Sequence, residues 1–97
     1  MPTYVSLLKW TDQGIKDVKE TVSRYQHARG AVERMGGRIL TTYWTQGAYD
    51  VMVVTEFPDE DAAMAFLLGL GRQGAVRTET LRAFTEQDMQ RILQKVP

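Results

Sequence analysis

Few side chains in this 97-residue chain are of a type that acts on a substrate, and those few already narrow the chemistry. There is one histidine, His27, and no cysteine, which removes disulfides, thiolate chemistry, the usual zinc donor sets and Ser-His or Cys-His nucleophile pairs. His27 stands two positions past Tyr25, roughly 200° round a helix from that residue's face. Its neighbours Ser23, Arg24, Gly30 and Ala31 include no acid to orient an imidazole, so it reads as a solvated side chain rather than a proton carrier. Asp59, Glu60 and Asp61 cluster after Pro58, but at a helix start the macrodipole accounts for acidic residues without a metal. Gly69-Leu70-Gly71-Arg72-Gln73-Gly74 has the G-x-G-x-x-G spacing of a pyrophosphate loop. A dinucleotide fingerprint follows a strand and opens a helix, whereas these glycines end a helix and lead into a strand. No cofactor and no metal is expected.

Two other groups are better candidates for binding. Tyr43, Trp44 and Tyr49 gather aromatic surface near a hairpin tip beside one carboxylate, Asp50. Packing in a core or between subunits explains the rings, and a small-molecule pocket is the other reading. Asp50 is placed to accept from backbone N–H groups of its own turn or to face a ligand amine. On the following strand Arg77, Glu79 and Arg82, with Arg72 just ahead, are set to pair across an interface or to meet an anionic ligand. The candidate ligand-binding set is Tyr43, Trp44, Tyr49, Asp50, Arg77 and Thr78, and no catalytic residue is assigned.

The elements that hold these residues follow from periodicity. Residues 3 to 10 alternate as a strand, with Val5 and Leu7 on one face and Tyr4, Leu8 and Trp10 on the other. Thr11 or Asp12 caps a long amphipathic helix whose apolar stripe is Ile15, Val18, Val22, Tyr25, Ala28 or Arg29, Val32 and Met35. Gly36-Gly37 stops it, and Gly30 within it is a point for a kink or a close approach. Strands over 38–46 and 49–57 are joined by Gly47-Ala48, a pair suited to a type II′ turn; a two-residue turn sets Trp44 beside Val51 and Tyr43 beside Met52 on opposite faces. Pro58 to Asp61 opens a second helix that buries Ala63, Phe66, Leu67 and Leu70, with Gly69, Gly71 and Gly74 marking its weakening and end. An edge-like strand over 75–84 follows. Thr85 then caps a short helix, with Asp88 placed for a capping box and Met89, Ile92, Leu93 and Val96 as its apolar side.

The order β-α-β-β-α-β plus a helix predicts an α+β, ferredoxin-like βαββαβ sandwich with an extra C-terminal helix, strands 1 and 3 central, as one domain over 1–97. Both faces of the central strands are apolar, and helices cover only one. The other face needs a second sheet, which predicts a homodimer of the dimeric α+β barrel type. Burying ~600 Å² of apolar surface per subunit at about 25 cal/mol per Å² is worth on the order of 15 kcal/mol before association costs.

Composition sets the outer limits. Hydrophobic residues at 43% and charged residues at 25% match globular averages, which argues against disorder. Twelve basic residues balance twelve acidic ones, so the chain lacks the electrostatic footprint of a nucleic-acid or anionic-membrane binder. No apolar run approaches the roughly 18 residues of a spanning helix, and Met1-Pro2-Thr3-Tyr4 reads as the start of a strand with no signal peptide. A cytoplasmic protein is expected, and no repeat or linker is visible.

Met1 to Val5, Trp10 to Lys16, Gly36 to Ile39, Tyr43-Trp44-Thr45, Gly47-Ala48-Tyr49-Asp50-Val51 and Val76 to Phe84, taken together, resemble the GYD-domain family, small bacterial and archaeal proteins named for the Gly/Tyr/Asp element. The resemblance spans nearly the whole chain and implies a ferredoxin-like, dimeric α+β barrel domain; it implies no activity, because the family is largely uncharacterised. Gly47, Tyr49, Asp50, Val76, Thr78 and Thr80 are also similar to the effector-binding domain of leucine-responsive and asparagine-type transcription regulators, whose hairpin tip and following strand help form small-ligand sites between dimers. This chain lacks their helix-turn-helix, so DNA recognition is not implied. The leading expectation is a homo-oligomeric module that binds a small polar metabolite. A cofactor-independent oxygenase or isomerase, with Tyr43, Trp44, His27 or Arg24 lining a pocket between sheet and helices, is one alternative. A purely structural or partner-binding oligomer is the other.

Overall fold

A computed structural model describes all residues, 1–97. Along the chain run β1 (Thr3–Trp10), a short α1 (Asp12–Lys16), a 3-10 turn (Val18–Glu20), α2 (Thr21–Arg34), β2 (Arg38–Trp44), β3 (Val51–Glu56), α3 (Glu60–Arg72), β4 (Val76–Ala83) and α4 (Glu86–Leu93). The strands form one antiparallel sheet in the order β2-β3-β1-β4, with β1 and β3 central. This is the α+β, ferredoxin-like arrangement with an added C-terminal helix.

Register assigns the two faces, because paired residues share a side. Tyr4 opposite Thr55, Ser6 opposite Val53 and Thr80, and Leu8 opposite Val51 look toward the helices. Val5 opposite Val54 and Leu81, Leu7 opposite Met52 and Glu79, and Tyr43 opposite Met52 look the other way, where no helix lies. Tyr43 is 61% exposed and Leu81 55% on that bare face. The core is thin as a result: only 10 of 97 residues are buried, and its centre is Tyr4, Val32, Phe57 and Ala63 with Ile39 and Phe66 against them.

The helices differ from expectation in one respect. A single rod over residues 15–35 is replaced by α1, the 3-10 turn and α2, with the break at Asp17, where the backbone leaves helical geometry at φ −104°, ψ 30°. The cause is tertiary. Thr11 caps α1 by accepting from the Gly14 N–H at 3.1 Å, and the same residue ties α1 to the loop before β4 through Thr11 N–H to the Ala75 carbonyl at 3.1 Å and its hydroxyl to the Gly74 carbonyl. α1 is therefore fixed at the β4 end of the sheet, while α2 must start again to cross it. Ile15 and Val22, expected in the buried stripe, are 48% and 53% exposed. The inward row of α2 is Thr21, Arg24, Tyr25, Ala28 and Val32, at helical spacing. Gly30 does not interrupt α2, which ends in a Schellman motif: Gly36 at φ 84° donates to the Glu33 carbonyl and Gly37 to that of Val32.

Asp59 caps α3 through the Ala62 N–H at 2.8 Å, and the helix runs on through Gly69 and Gly71 to Arg72. Thr85 and Asp88 form the expected capping box on α4, each accepting from the other's backbone N–H. Met89, Leu93 and Val96 on and just after α4 are 42%, 59% and 60% exposed, so this helix adds nothing to the core. The radius of gyration, 14.6 Å, exceeds the value of about 13 Å for a compact domain of this size.

Candidate functional site

The six residues predicted to bind a ligand fall into separate places. Trp44 and Val51 pair on the helix side, Tyr43 and Met52 on the bare side, the pairing that a two-residue turn demands. The ladder stops short of Gln46 and Tyr49, however, because β1 recruits Asp50: its N–H donates to the Leu8 carbonyl at 2.8 Å, and its carboxylate accepts from the Trp10 N–H at 2.9 Å. Thr45 closes the loop by donating through its N–H to the Asp50 carbonyl and through its hydroxyl to that of Tyr49, while Gly47 at φ 109° makes the turn. Asp50 thus continues the β1–β3 pairing by one side-chain bond.

Tyr49 reaches β4, where its hydroxyl donates to Glu79 at 2.8 Å, with the Lys9 ammonium 5.4 Å from its ring centroid. That hydrogen bond, with the carboxylate's negative charge, raises the phenol's pKa above its ordinary 10.0. Arg77 and Thr78 line a shallow hollow with Arg72, Leu67, Leu68 and Gly71, between α3 and the edge strand. The structure therefore joins Tyr49 to Glu79 and Arg77 to Thr78, and leaves Tyr43, Trp44 and Asp50 in three other settings. His27 is exposed and lines neither this hollow nor the space between sheet and helices.

A deeper, partly open space lies elsewhere, between the helix-facing side of the sheet and the gap between α2 and α3. A cavity of about 100 Å³ runs from Tyr4, Phe57 and Phe66 toward Trp10, Trp44 and Gln73. Arg24 and Tyr25 on α2 and Ala63, Leu67 and Leu70 on α3 form its other wall. Trp44 is held there by two contacts: its indole N–H donates to the Thr21 hydroxyl at 3.0 Å, and Tyr25 meets it edge to face with centroids 5.5 Å apart. Ser6 and Thr80 hydroxyls, 2.9 Å apart, satisfy each other in the floor. Arg24 is drawn outward to Asp17 at 3.4 Å. No carboxylate, imidazole or ammonium lines the cavity.

The Tyr4 hydroxyl is buried without a hydrogen-bond partner, as is that of Thr42. Arg82 packs on the Tyr4 ring, 5.6 Å from its centroid, but donates to the carbonyls of Thr3 and Ala83 instead. Of this cavity, sequence reasoning placed Arg24 and Trp44 in a pocket between sheet and helices. It read Tyr4, Trp10, Tyr25 and Phe66 as core or strand residues. The available signal was Ser6, Thr55 and Thr80, hydroxyl residues on what should be the driest face of the sheet.

Comparison with known proteins agrees with this architecture. The family model described as the GYD domain matches residues 4–93. The chain is 31% identical over 90 residues to the glutamine synthetase and cystathionine beta-lyase binding protein of Thermus thermophilus, an alignment covering 92% of this chain and 95% of that protein. Among solved structures, the crystal structure of TTHA0845 from Thermus thermophilus shares the fold, with a TM-score of 0.54 at 23% identity over 88% of this chain and 95% of that one. With the family model covering nearly every residue of the sheet and its helices, and with Gly47, Tyr49 and Asp50 in the hairpin, the chain belongs to the GYD-domain family.

Proposed function

We propose that this protein is a homo-oligomeric docking module, one that pairs with its own copies through the bare sheet face and binds partner enzymes in the cytoplasm. One observation carries the reading: large apolar side chains stand exposed where the fold supplies nothing to cover them. Tyr43 and Leu81 do so on the sheet, and Met89, Leu93 and Val96 on and just after α4. A bare face containing Val5, Leu7, Met52 and Val54 besides is the surface a second sheet covers, and Tyr43, Tyr49 and Arg77 then serve contacts between copies. Support for enzymes as partners comes from the relative, whose name records binding to glutamine synthetase and cystathionine beta-lyase. The amphipathic outer side of α4 is the kind of surface a groove on a partner accepts.

Sedimentation velocity at micromolar concentration tests the first part. A dimer or larger species is expected, and Val54→Lys is expected to give folded monomers, because it sets a charge in the middle of the contact. Immobilised protein exposed to purified glutamine synthetase and cystathionine beta-lyase of the same organism tests the second. Monomers for the unmodified chain refute self-association, and failure of both enzymes to bind refutes the partner class.

A further inference from the structure

We propose that α4 is an arm exchanged between copies: its apolar side, Met89, Ile92, Leu93 and Val96, seats on a second copy of this chain at the rim of the paired sheets. The inference rests on the self-association proposed above and adds the segment that completes it.

The arm has no place in its own subunit. No hydrogen bond or ion pair joins residues 85–97 to the rest of the chain; the side-chain bonds of Thr85, Asp88 and Arg91 all close within the helix and its cap. Helix α4 packs along no other element, and with it the molecule reaches 50 Å along its longest axis against 19 Å along its shortest. An isolated helix of fewer than about 12 residues is marginal in water, and α4 has eight. Its capping box satisfies the first turn only, so the rest of the helix needs cover from another molecule. Met89, Leu93 and Val96 recur at four- and three-residue steps, which sets them on one side, and all three are exposed.

Area and position name the second copy as that molecule. The accessible surface is 6858 Å², whereas a compact monomer of 11.0 kDa exposes about 5,600 Å². The surplus, about 1,200 Å², exceeds the roughly 800 Å² that each partner buries in a stable dimer. The outer face of the sheet, about 25 Å along the strands and about 19 Å across them, supplies a footprint of only roughly 500 Å². The arm's apolar side supplies the remainder. It is also continuous with that face: β4 carries Leu81 on the bare side, and Phe84, exposed as well, leads directly into the cap at Thr85. Its charges raise no barrier to pairing with its own kind, since Glu86 and Asp88 are balanced by Arg91 and Lys95. A partner enzyme that takes α4 displaces it from this seat.

Assemblies of a carbon-13-labelled copy with an unlabelled one, made by refolding the two together, test the seat through nuclear Overhauser effects that cross between copies. Such effects are expected from the methyl groups of Met89, Leu93 and Val96. Leu93→Asp is expected to weaken self-association at least about tenfold in sedimentation velocity, with the fold unchanged by circular dichroism, because each arm loses a buried leucine. Amides 89–93 are expected to exchange at least about tenfold more slowly in the unmodified assembly than in Val54→Lys. Copies that associate without methyl effects between them, that associate as tightly after Leu93→Asp, or whose arm amides exchange as fast as in Val54→Lys overturn the arm and leave pairing through the sheet standing. Monomers of the unmodified chain at micromolar concentration overturn both. Should Leu93→Asp not fold, the methyl effects and the amide exchange decide.

Discussion

The same substitution, glycine to alanine in a helix, should move stability in opposite directions at Gly14 and Gly69. A β-carbon at Gly14 lies 1.9 Å from the Ala75 carbonyl oxygen, whereas one at Gly69 meets nothing within 4 Å. Ordinary contact begins at 3.4 Å, so Gly14→Ala must push α1 and the Ala75 loop apart by 3.4 − 1.9 = 1.5 Å. The Thr11 N–H bond to the Ala75 carbonyl, 3.1 Å long, does not survive that, nor does the Thr11 hydroxyl bond to Gly74. Each is worth about 1 kcal/mol, and the acceptors, left unpaired in a part-buried contact, add a further penalty of about 1 kcal/mol. Alanine's better helix propensity returns about 1 kcal/mol, so the net loss is about 1–2 kcal/mol. At Gly69 only the propensity gain operates, about 0.5–1 kcal/mol. With roughly 4–8 °C per kcal/mol for a domain of this size, Gly14→Ala should melt about 5–15 °C lower and Gly69→Ala about 2–8 °C higher. Thermal denaturation followed by circular dichroism, at one protein concentration because self-association would shift both values, reads the difference. A Gly14→Ala protein as stable as the original would refute the close packing of α1 on the β4 loop.

Three further outcomes follow from the hairpin and the last helix. Asp50→Ala should cost about 1–3 kcal/mol in chemical denaturation by orphaning the Trp10 N–H, and Asp50→Asn should recover most of it, since an amide oxygen can still accept; a ligand carboxylate with no structural role would leave stability unchanged in both. Tyr49 should titrate above 10.0 by ultraviolet difference absorbance, and Glu79→Gln should bring it back toward that value. Because the folded value is the raised one, the Tyr49–Glu79 bond contributes fully below pH 10.0 and is lost as pH rises through the folded value. Asp88 runs the other way. Its bond to the Thr85 N–H, and secondly that to Arg91, hold its carboxyl below the ordinary 3.8, so the cap on α4 is intact above that pH and frays as pH falls through the folded value. Amide shifts of residues 85–91 report it, and no change there on acidification would contradict the capping box.

How much was legible in the sequence follows from the range of the interactions. Strand order, the hairpin register and the caps at Thr11 and Thr85 were readable, because alternation, a Gly-first turn and side-chain oxygens ahead of helices act over a few residues; Asp59 was read as a first-turn acid, and the structure makes it the cap of α3. The break at Asp17 was not, since what fixes α1 is a loop 63 residues away in sequence. Ile15 and Val22 fitted a helical stripe that the interrupted helix leaves exposed. Asp50 was legible as a turn carboxylate, but its partner, the Trp10 N–H, lies on another strand. The Tyr4 hydroxyl looked like part of a core strand because the missing partner is a property of the packing around it, not of residues near it in the chain.

The distribution of polarity across the sheet joins these results. In a two-layer α+β domain the face under the helices is expected to be the dry one and the outer face the polar one. Here Ser6, Thr55 and Thr80 sit under the helices, the first two 7% and 4% exposed, while Val5, Leu7, Met52, Val54 and Leu81 occupy the outer face. Hydroxyls among the apolar residues of the inner face, and apolar side chains left bare on the outer one, both weaken an isolated subunit. Cover of the outer face by a second copy, as proposed above, would remove the larger of the two costs. The two halves can be separated experimentally, because they share strands but no side chain. Val54→Lys should dissociate copies and leave the fold as it was, read by circular dichroism; Ala28→Leu, on the inner side, should leave assembly as it was. If Val54→Lys left the copies associated, or Ala28→Leu separated them, the assignment of assembly to the outer face would fail.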